Sequence, residues 1–280
     1  MSSRPTPSFA ELLARVPDSL ESGRAVRVDV PAEWGQGRST FGGALTGLAL
    51  TAMQAVVPRG SQAEPPRRCR SMMVGFVGPV AAGELELCAS VTRHGRSATH
   101  VSASLVSDGS LGCAVMASFA SPRPSAIEVC GLPRPELVGP EQSIAMPEVA
   151  GVIPIFVRSF DMRWAIGGPP GSALAESSFA GWVRFREHHS GPLGSAWIAA
   201  LIDAWPAPVM QMLRKPAIAS SLTWSVDFVD HDPEAASDQW WAFAVDTDRA
   251  SGGWVHTRGR LWSPNGVLVA TSTQTVALFG

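Results

Sequence analysis

Two stretches of small apolar residues stand out in the hydrophobic pattern of this chain. The first runs from Phe41 to Met53 and the second from Leu193 to Ala204. Each is apolar on nearly every side when it is drawn as a helix, and such a helix must be buried on most of its faces. The pattern therefore predicts two long buried helices, one in each half of the chain, and a short peripheral helix over 9–16.

Segments in which polar and apolar residues alternate accompany each of these helices. Alternation with a period of two is typical of a half-buried strand, and turn sequences such as Asp108-Gly109 separate the segments. Since the later strands of each half have no helix between them, the order favours antiparallel sheets over a parallel alternating fold. The predicted strands are Arg24–Val30, Cys69–Val77, Glu84–Arg93, Ala98–Val106, Leu111–Phe119, Phe156–Trp164, Gly181–Glu187, Ala219–Val229, Trp240–Asp246, Trp254–Trp262 and Val267–Leu278.

The second half of the sequence repeats the first. A shift of 152 residues aligns Phe41-Gly42 with Leu193-Gly194 and Phe76 with Phe228, and the shift grows to 157 toward the C-terminus. Small insertions in loops account for the growth, because loops tolerate added residues at little cost. The repeat predicts a tandem duplication of one unit in which an antiparallel sheet is packed around a helix.

The two copies are joined by a segment of different character. Seven prolines fall between Ser121 and Pro154, and no periodic hydrophobic pattern survives there. Such a stretch is typical of an inter-domain linker that runs over the surface. We therefore predict an N-terminal unit over 1–120, a proline-rich linker over 121–154 and a C-terminal unit over 155–280.

Composition excludes several classes of function. The chain has 280 residues, of which 45% are hydrophobic and 16% charged, with a net charge of −2. This is enough apolar material for a core and too little charge for a disordered chain. The near-neutral balance argues against nucleic-acid binding. No apolar stretch approaches the ~20 residues that span a bilayer, and the N-terminus lacks a secretory pattern. We expect a cytoplasmic protein without a membrane partner.

The cysteine and histidine residues do not suggest a metal site. The four cysteines are widely spaced with no CxxC pair, and His188 and His189 are adjacent, so their side chains point apart. Without a secretory signal the thiols are expected to be reduced. We expect neither a metal nor an organic cofactor.

Several motifs occur in the order and spacing found in one enzyme family. Together they resemble the type II acyl-CoA thioesterases (TesB-like), and the likeness extends from about residue 25 to the end. The resemblance implies an α+β tandem (double) hotdog fold, with two antiparallel sheets each wrapped around a long apolar helix, and hydrolysis of acyl-CoA. The motifs are Phe41-Gly42-Gly43, Phe76-Val77-Gly78-Pro79, His94-Gly95-Arg96-Ser97, Leu201-Ile202-Asp203, Trp262-Ser263-Pro264-Asn265-Gly266 and Val269-Ala270-Thr271-Ser272-Thr273-Gln274.

The same resemblance implies a set of catalytic residues. In that family an aspartate, a threonine or serine, and a glutamine together hold a water against the thioester. These roles fall on Asp203, on Ser221 and on Gln274. Thr223 remains an alternative to Ser221, because a register change of two residues keeps a side chain on the same face of a regular strand.

The chemistry of thioester hydrolysis requires these types of residue. It needs a nucleophilic water, a base and hydrogen-bond donors for the developing oxyanion. An aspartate that ends an apolar helix can be partly desolvated and so act as the base. The start of a helix offers free backbone N–H groups for the oxyanion. Either Gly42-Gly43 or Gly194-Ser195 could provide this start.

The duplication predicts a single working site in each chain. The first-half counterparts of the proposed catalytic residues are Thr51, Cys69 and about Ala117, which include neither a carboxylate nor an amide. We therefore expect the second half to supply the catalytic side chains. The first half is expected to be a structural lobe that can also line the acyl pocket.

Two other functions remain open for this sequence. A hotdog hydratase or dehydratase acting on acyl-CoA uses an Asp/His pair, for which Asp230-His231-Asp232-Pro233 is the nearest match. A non-catalytic acyl-CoA-binding protein is the second. No G-x-S-x-G or G-x-G-x-x-G motif in a suitable context points to a serine hydrolase or a dinucleotide enzyme. Exposed sheet edges favour a homodimer or a higher homo-oligomer.

Overall fold

The structure is a computed structural model that describes residues 7–58, 65–147, 151, 153–215, 217–230 and 234–279. Its α-helices are α1 (Phe9–Leu13), α2 (Gly42–Val56) and α3 (Ser195–Asp203), and short 3-10 helices cover Ala32–Trp34, Pro140–Gln142, Ile155–Ser159 and Pro208–Met212. The strands are β1 (Ala25–Val30), β2 (Gly35–Gln36), β3 (Ser39–Thr40), β4 (Arg68–Phe76), β5 (Gly83–His94), β6 (Ala98–Ser107), β7 (Ser110–Ala120), β8 (Ile144–Ala145), β9 (Phe160–Ile166), β10 (Phe179–Phe185), β11 (Ile218–Phe228), β12 (Trp241–Ser251), β13 (Trp254–Trp262) and β14 (Leu268–Phe279).

Twelve of these strands form one antiparallel sheet, in the order β1-β5-β6-β7-β4-β11-β14-β13-β12-β10-β9-β8. The first half of the chain forms one side of this sheet and the second half forms the other. Strands β4 and β11 pair at the junction, so the two halves lie edge to edge. The order of strands on one side of the junction mirrors the order on the other, as a duplicated unit requires.

The duplication extends to an irregularity in the backbone. The pairing of β4 with β7 has a bulge between Cys69 and Ser71. The pairing of β11 with β14 has a bulge between Ser221 and Thr223, which is 152 residues later. Because a bulge adds one unpaired residue at a defined place, its recurrence supports the alignment of the two halves made from the sequence.

Helices α2 and α3 pack against each other beneath the inner face of the sheet. Both are buried on most sides, as the apolar patterns predicted. Small residues allow this close packing, because a methyl group added to Gly43 would lie 2.9 Å from the Cα atom of Ala200. The start of α2 is thereby held against the last turns of α3.

Several of the predicted elements differ from the structure. The second buried helix covers Ser195–Asp203 rather than 193–204, and it is followed by Pro206 and Pro208, since proline cannot continue a helix. Helix α1 ends at Leu13 rather than at residue 16, and β12 extends to Ser251 rather than to residue 246. The strand predicted over Phe156–Trp164 begins only at Phe160, after a 3-10 helix. In that helix the ring of Phe156 stacks on Phe41 with centroids 4.0 Å apart, so packing overrides the alternating pattern.

The segment predicted as a linker lies largely exposed and is fixed to the second half of the sheet. The indole of Trp262 donates to the carbonyl of Leu132 at 2.9 Å, and that of Trp182 donates to the carbonyl of Val138 at 2.8 Å. Further along, β8 pairs with β9 at the edge of the sheet. In the described parts of the chain, no helix has the length and apolar character needed to cross a membrane.

Candidate active site

The carboxylate of Asp203 lies at the end of α3 and faces the first turn of α2. A methyl group added to Gly42 would lie 2.7 Å from Oδ2 of Asp203 and 3.1 Å from the ring of Phe76. At Gly194, the equivalent position in the second half, an added methyl would meet no atom within 4 Å. The glycine at position 42 is therefore needed for the close approach of the carboxylate.

Gln274 connects Asp203 with Ser221. Its Nε2 donates to Oγ of Ser221 at 2.7 Å and to Oδ1 of Asp203 at 3.4 Å. Gln274 is 71 positions from Asp203 and 53 from Ser221 along the chain, and the three residues come from α3, β11 and β14. Each of the three residues is half-buried.

Thr223 is not part of this group. Ser221 pairs with Val276, whereas Thr223 pairs with Thr275, because the bulge places an extra residue between them. Paired residues share a face of the sheet and successive residues alternate. Thr223 therefore lies on the outer face and is exposed. The expectation that Ser221 and Thr223 share a face is wrong for this strand.

The surroundings of Asp203 favour its protonated form. Burial raises the pKa of this carboxyl to about 7, while hydrogen bonds from the backbone of Gly43 and from Gln274 act in the opposite direction. Burial also raises the pKa of the neighbouring Cys113 thiol to about 12, and the charge of Asp203 adds to the effect. Asp203 can thus take up and release a proton near neutral pH.

Of the two helix starts that the sequence left open, the one at Gly42-Gly43 lies beside the carboxylate of Asp203. The N-cap residue of α2, Phe41, offers no side-chain cap. The first amides that bond back into the turn are those of Ala44 and Leu45, both to the carbonyl of Phe41. The earlier N–H groups have no intrahelical partner, as at any helix start, and that of Gly43 donates to the carboxylate of Asp203.

A small cavity of about 20 Å³ adjoins Asp203 and Gln274. Its other walls include Trp205, Trp224 and Phe243. A cavity of about 10–15 Å³, on this measure, is enough to hold one water molecule. The site can therefore hold a single water beside a carboxylate, an amide and aromatic walls.

The aromatic walls and Phe76 were not identified as site residues from the sequence. Tryptophan and phenylalanine in strands usually fill a core, so their position in the sequence does not separate them from packing residues. Phe76 could have been found from the repeat, because it aligns with Phe228 and belongs to a motif of the resemblance.

The described residues contain no group of three or more histidine, cysteine, aspartate or glutamate side chains placed to hold a metal ion. The four cysteines are free thiols. Of the stretch considered for a hydratase, His231, Asp232 and Pro233 lie outside the described residues.

Two family models match the chain. One describes the acyl-CoA thioesterase N-terminal domain and matches residues 30–120, and the other describes the acyl-CoA thioesterase C-terminal domain and matches residues 140–278. Together they cover more than four fifths of the chain. No curated protein sequence matches it.

Solved structures share the fold over nearly the whole chain. A conserved protein of unknown function with a hot dog fold from Alicyclobacillus acidocaldarius has a TM-score of 0.81 at 24% identity and covers 97% of this chain and 98% of its own. The acyl-CoA thioesterase II TesB2 of Mycobacterium marinum has a TM-score of 0.72 at 18% identity, and the alignment covers 98% of this chain and 99% of that protein. A tesB protein of Mycobacterium avium subs paratuberculosis has a TM-score of 0.74 at 16% identity, and the alignment covers 98% of this chain and 100% of that protein. The hotdog fold inferred from the sequence is confirmed.

The raised pKa of Asp203 predicts a stability effect with a definite sign. The folded-state pKa of about 7 exceeds the ~3.9 of an unfolded aspartate. The folded protein therefore holds an extra proton between these values, and stability from this group is lost as the pH rises from about 4 to 7. We expect Asp203→Asn to raise the free energy of unfolding at pH 8 by up to about 4 kcal/mol, and by little at pH 4.

Denaturant unfolding at both pH values measures this difference. Asp227→Asn is the matched control, because Asp227 is an exposed aspartate on β11. If Asp203→Asn raised the free energy of unfolding by the same amount at pH 4 and at pH 8, the raised pKa of Asp203 would be contradicted.

Proposed function

The chain belongs to the acyl-CoA thioesterase family, and we propose that it hydrolyses acyl-CoA with a water molecule held by Asp203, Ser221 and Gln274. Family membership makes it a thioester hydrolase. One observation above all supports this choice of residues. Gln274 lies within hydrogen-bond distance of both Asp203 and Ser221, and Asp203 and Gln274 line a cavity that fits one water.

Each of the three residues has a role that its contacts support. Gln274 donates to both partners, which fixes the carboxylate and the hydroxyl relative to each other. Since Oγ of Ser221 accepts that bond, its own proton remains available to a water or to the substrate. The carboxylate of Asp203 is the base that accepts the proton of the water.

The reaction then follows from these positions. The water oxygen attacks the carbonyl carbon of the thioester while Asp203 takes one of its protons. The negative charge that develops on the carbonyl oxygen is stabilised at the start of α2, where the N–H of Gly43 is donated to Asp203 and the N–H of Gly42 is left for the oxyanion. When the C–S bond breaks, the proton passes from Asp203 to the departing thiolate, leaving the free acid and coenzyme A.

A pKa near neutrality suits both of these proton transfers. A base with a pKa of about 7 is largely ionised at slightly alkaline pH, yet it is basic enough to remove a proton as the water attacks. The same group, once protonated, is acidic enough to return the proton to sulfur. Burial beside the α2 start is what brings the carboxyl group into this range.

The described residues that line the small cavity include no histidine, so an Asp/His hydratase or dehydratase is less well supported than hydrolysis. Binding of acyl-CoA without turnover is decided by the assay below. The separate family matches at 30–120 and 140–278 support a division into two units, but the second match begins inside the linker predicted over 121–154, so the bounds 1–120, 121–154 and 155–280 remain a prediction. The sheet ends at β1 and β8 support a homodimer, since strand edges invite pairing. The cytoplasmic location remains a prediction.

Substitution of the three residues tests the assignment. We expect Asp203→Asn to lower kcat by at least about 100-fold, because the base is lost, and Ser221→Ala and Gln274→Ala to lower it in the same direction. Release of thiol from acyl-CoA substrates of increasing chain length is measured with a thiol-capture reagent. Thr223→Ala is the matched control for Ser221→Ala, because Thr223 lies on the same strand but on the outer face.

Full activity of Asp203→Asn would overturn the proposed mechanism and leave the family assignment intact. Binding of acyl-CoA without thiol release at any chain length would identify a non-catalytic binding protein instead.

The pH dependence of hydrolysis provides a separate test. Since the ionised form of Asp203 is the base, log(kcat/KM) is expected to rise with pH below about 7 and to level off above it. The residual rate of Asp203→Asn should lack this rise. The measurement is the initial rate at low substrate from pH 5 to pH 9. A profile of the intact enzyme that is flat through pH 7 would contradict the role of Asp203.

The close approach at Gly42 predicts the effect of a single methyl group. In Gly42→Ala the new Cβ would contact Oδ2 of Asp203 and the ring of Phe76, so the carboxylate must move. A displacement of about 1 Å is expected to lower kcat by about 10- to 100-fold. Gly139→Ala is the control, because a methyl there meets no atom within 4 Å. Unchanged kcat in a folded Gly42→Ala enzyme would show that the carboxylate position is unimportant.

A further inference from the structure

A much larger cavity lies at the start of α3, on the part of the molecule equivalent to the active site. This cavity, which we call the twin groove, has a volume of about 1040 Å³. Ligand pockets in proteins are commonly about 300–1,000 Å³, so the twin groove is large enough for a substantial ligand. Its walls include Leu13, Leu50, Gly194, Trp197, Ile198 and Phe228.

The twin groove is the counterpart of the active site in the other copy of the repeat. The shift of 152 residues places Thr51 on Asp203, Cys69 on Ser221 and Gly194 on Gly42. Thr51, Cys69 and Gly194 all line the groove. The molecule therefore has two equivalent places where its halves meet, one at Asp203 and one at the twin groove.

The twin groove lacks the side chains that could activate a water. Thr51 and Cys69 replace the aspartate and the serine, and the position of Gln274 is occupied by Ala117. Burial raises the pKa of the Cys69 thiol to about 12, so this residue is a neutral thiol at physiological pH and a poor nucleophile. A ligand in the groove would be bound without being hydrolysed.

Three arginines distinguish the twin groove from the active site. Arg67, Arg68 and Arg70 line it. The equivalent positions in the second half are the uncharged Ala219, Ser220 and Leu222.

Only one of these arginines is committed to other contacts. The guanidinium of Arg67 donates to Oγ1 of Thr99 and to the carbonyl of Arg96. Among the described residues, the side chains of Arg68 and Arg70 make no hydrogen bond or ion pair, and both reach solvent. Asp18 and Asp230 also line the groove, so its positive charge exceeds its negative charge by one. The copy that lacks the catalytic groups is the one that carries the cations.

The combination of an apolar wall with guanidinium groups indicates a ligand that has an apolar part and phosphates. Arginine binds phosphate through paired, charge-assisted hydrogen bonds, and Leu13, Leu50 and Trp197 offer apolar surface. We propose that the twin groove is a second, non-catalytic site for coenzyme A or its acyl thioesters. The class of ligand rests on the proposed function, whereas the existence of the site rests on the groove itself.

Counting the ligands bound to each chain tests this proposal. The Asp203→Asn enzyme is titrated by calorimetry, in one arm with free coenzyme A and in the other with an acyl-CoA thioether that cannot be hydrolysed. We expect two binding events per chain in at least one arm. Adding Arg68→Ala and Arg70→Ala should remove one event or weaken it by about tenfold or more, because the phosphate contacts are lost.

The control carries Arg123→Ala and Arg249→Ala, which remove two exposed arginines that line neither cavity. It should keep both binding events, and a cooperative thermal melt shows that each variant is folded. A single event per chain in both arms would overturn the proposal, as would two events that are unaffected by Arg68→Ala and Arg70→Ala.

The two proposals fail independently. If no second ligand binds, the results of the hydrolysis assays are unaffected. If the enzyme does not hydrolyse acyl-CoA, the number of ligands bound to each chain can still be measured. A second event in the coenzyme A arm would show that phosphates alone are sufficient. A second event in the thioether arm alone would show that the acyl chain is needed as well, and both results support the site.

Discussion

The contact between the Asp203 carboxylate and the first turn of α2 places the strictest demands on the rest of the structure. A carboxylate is costly to bury unless hydrogen bonds and favourable dipoles compensate for the lost water. Here the compensation comes from the positive end of α2, from the backbone of Gly43 and from Gln274. It is incomplete, because the pKa remains raised to about 7, and the proposed role of Asp203 as the base depends on this incomplete compensation.

The same contact explains why small residues occur where the two buried helices meet. The carboxylate can approach the α2 backbone only where position 42 has no side chain, and the helices can approach each other only where Gly43 faces Ala200. The sheet imposes a second condition, since Ser221 and Gln274 must sit on neighbouring strands in the right register. The pairing of β4 with β11 fixes the halves relative to each other, so groups from both meet at one place.

Much of this arrangement could be predicted from the sequence, because it depends on regular patterns. The apolar helices, most strands and the repeat follow from periodicity, and the resemblance to a family indicated Asp203 and Gln274. The choice between Ser221 and Thr223 could not be made in this way, since it depends on a bulge that interrupts the period of two. The stacking of Phe156 on Phe41 likewise turns an alternating segment into a 3-10 helix. The size of the twin groove depends on packing between distant segments, which no local pattern records.

The fusion of the two copies in one chain has an evolutionary consequence. In a symmetric assembly of identical polypeptides, every substitution appears in both sites at once, so neither can specialise without changing the other. Once the copies share a polypeptide, each position in one half can mutate alone. The bulge retained at both Cys69 and Ser221 records the common ancestor of the halves. The aspartate on one side and the arginines on the other record the freedom that linkage gave them to diverge.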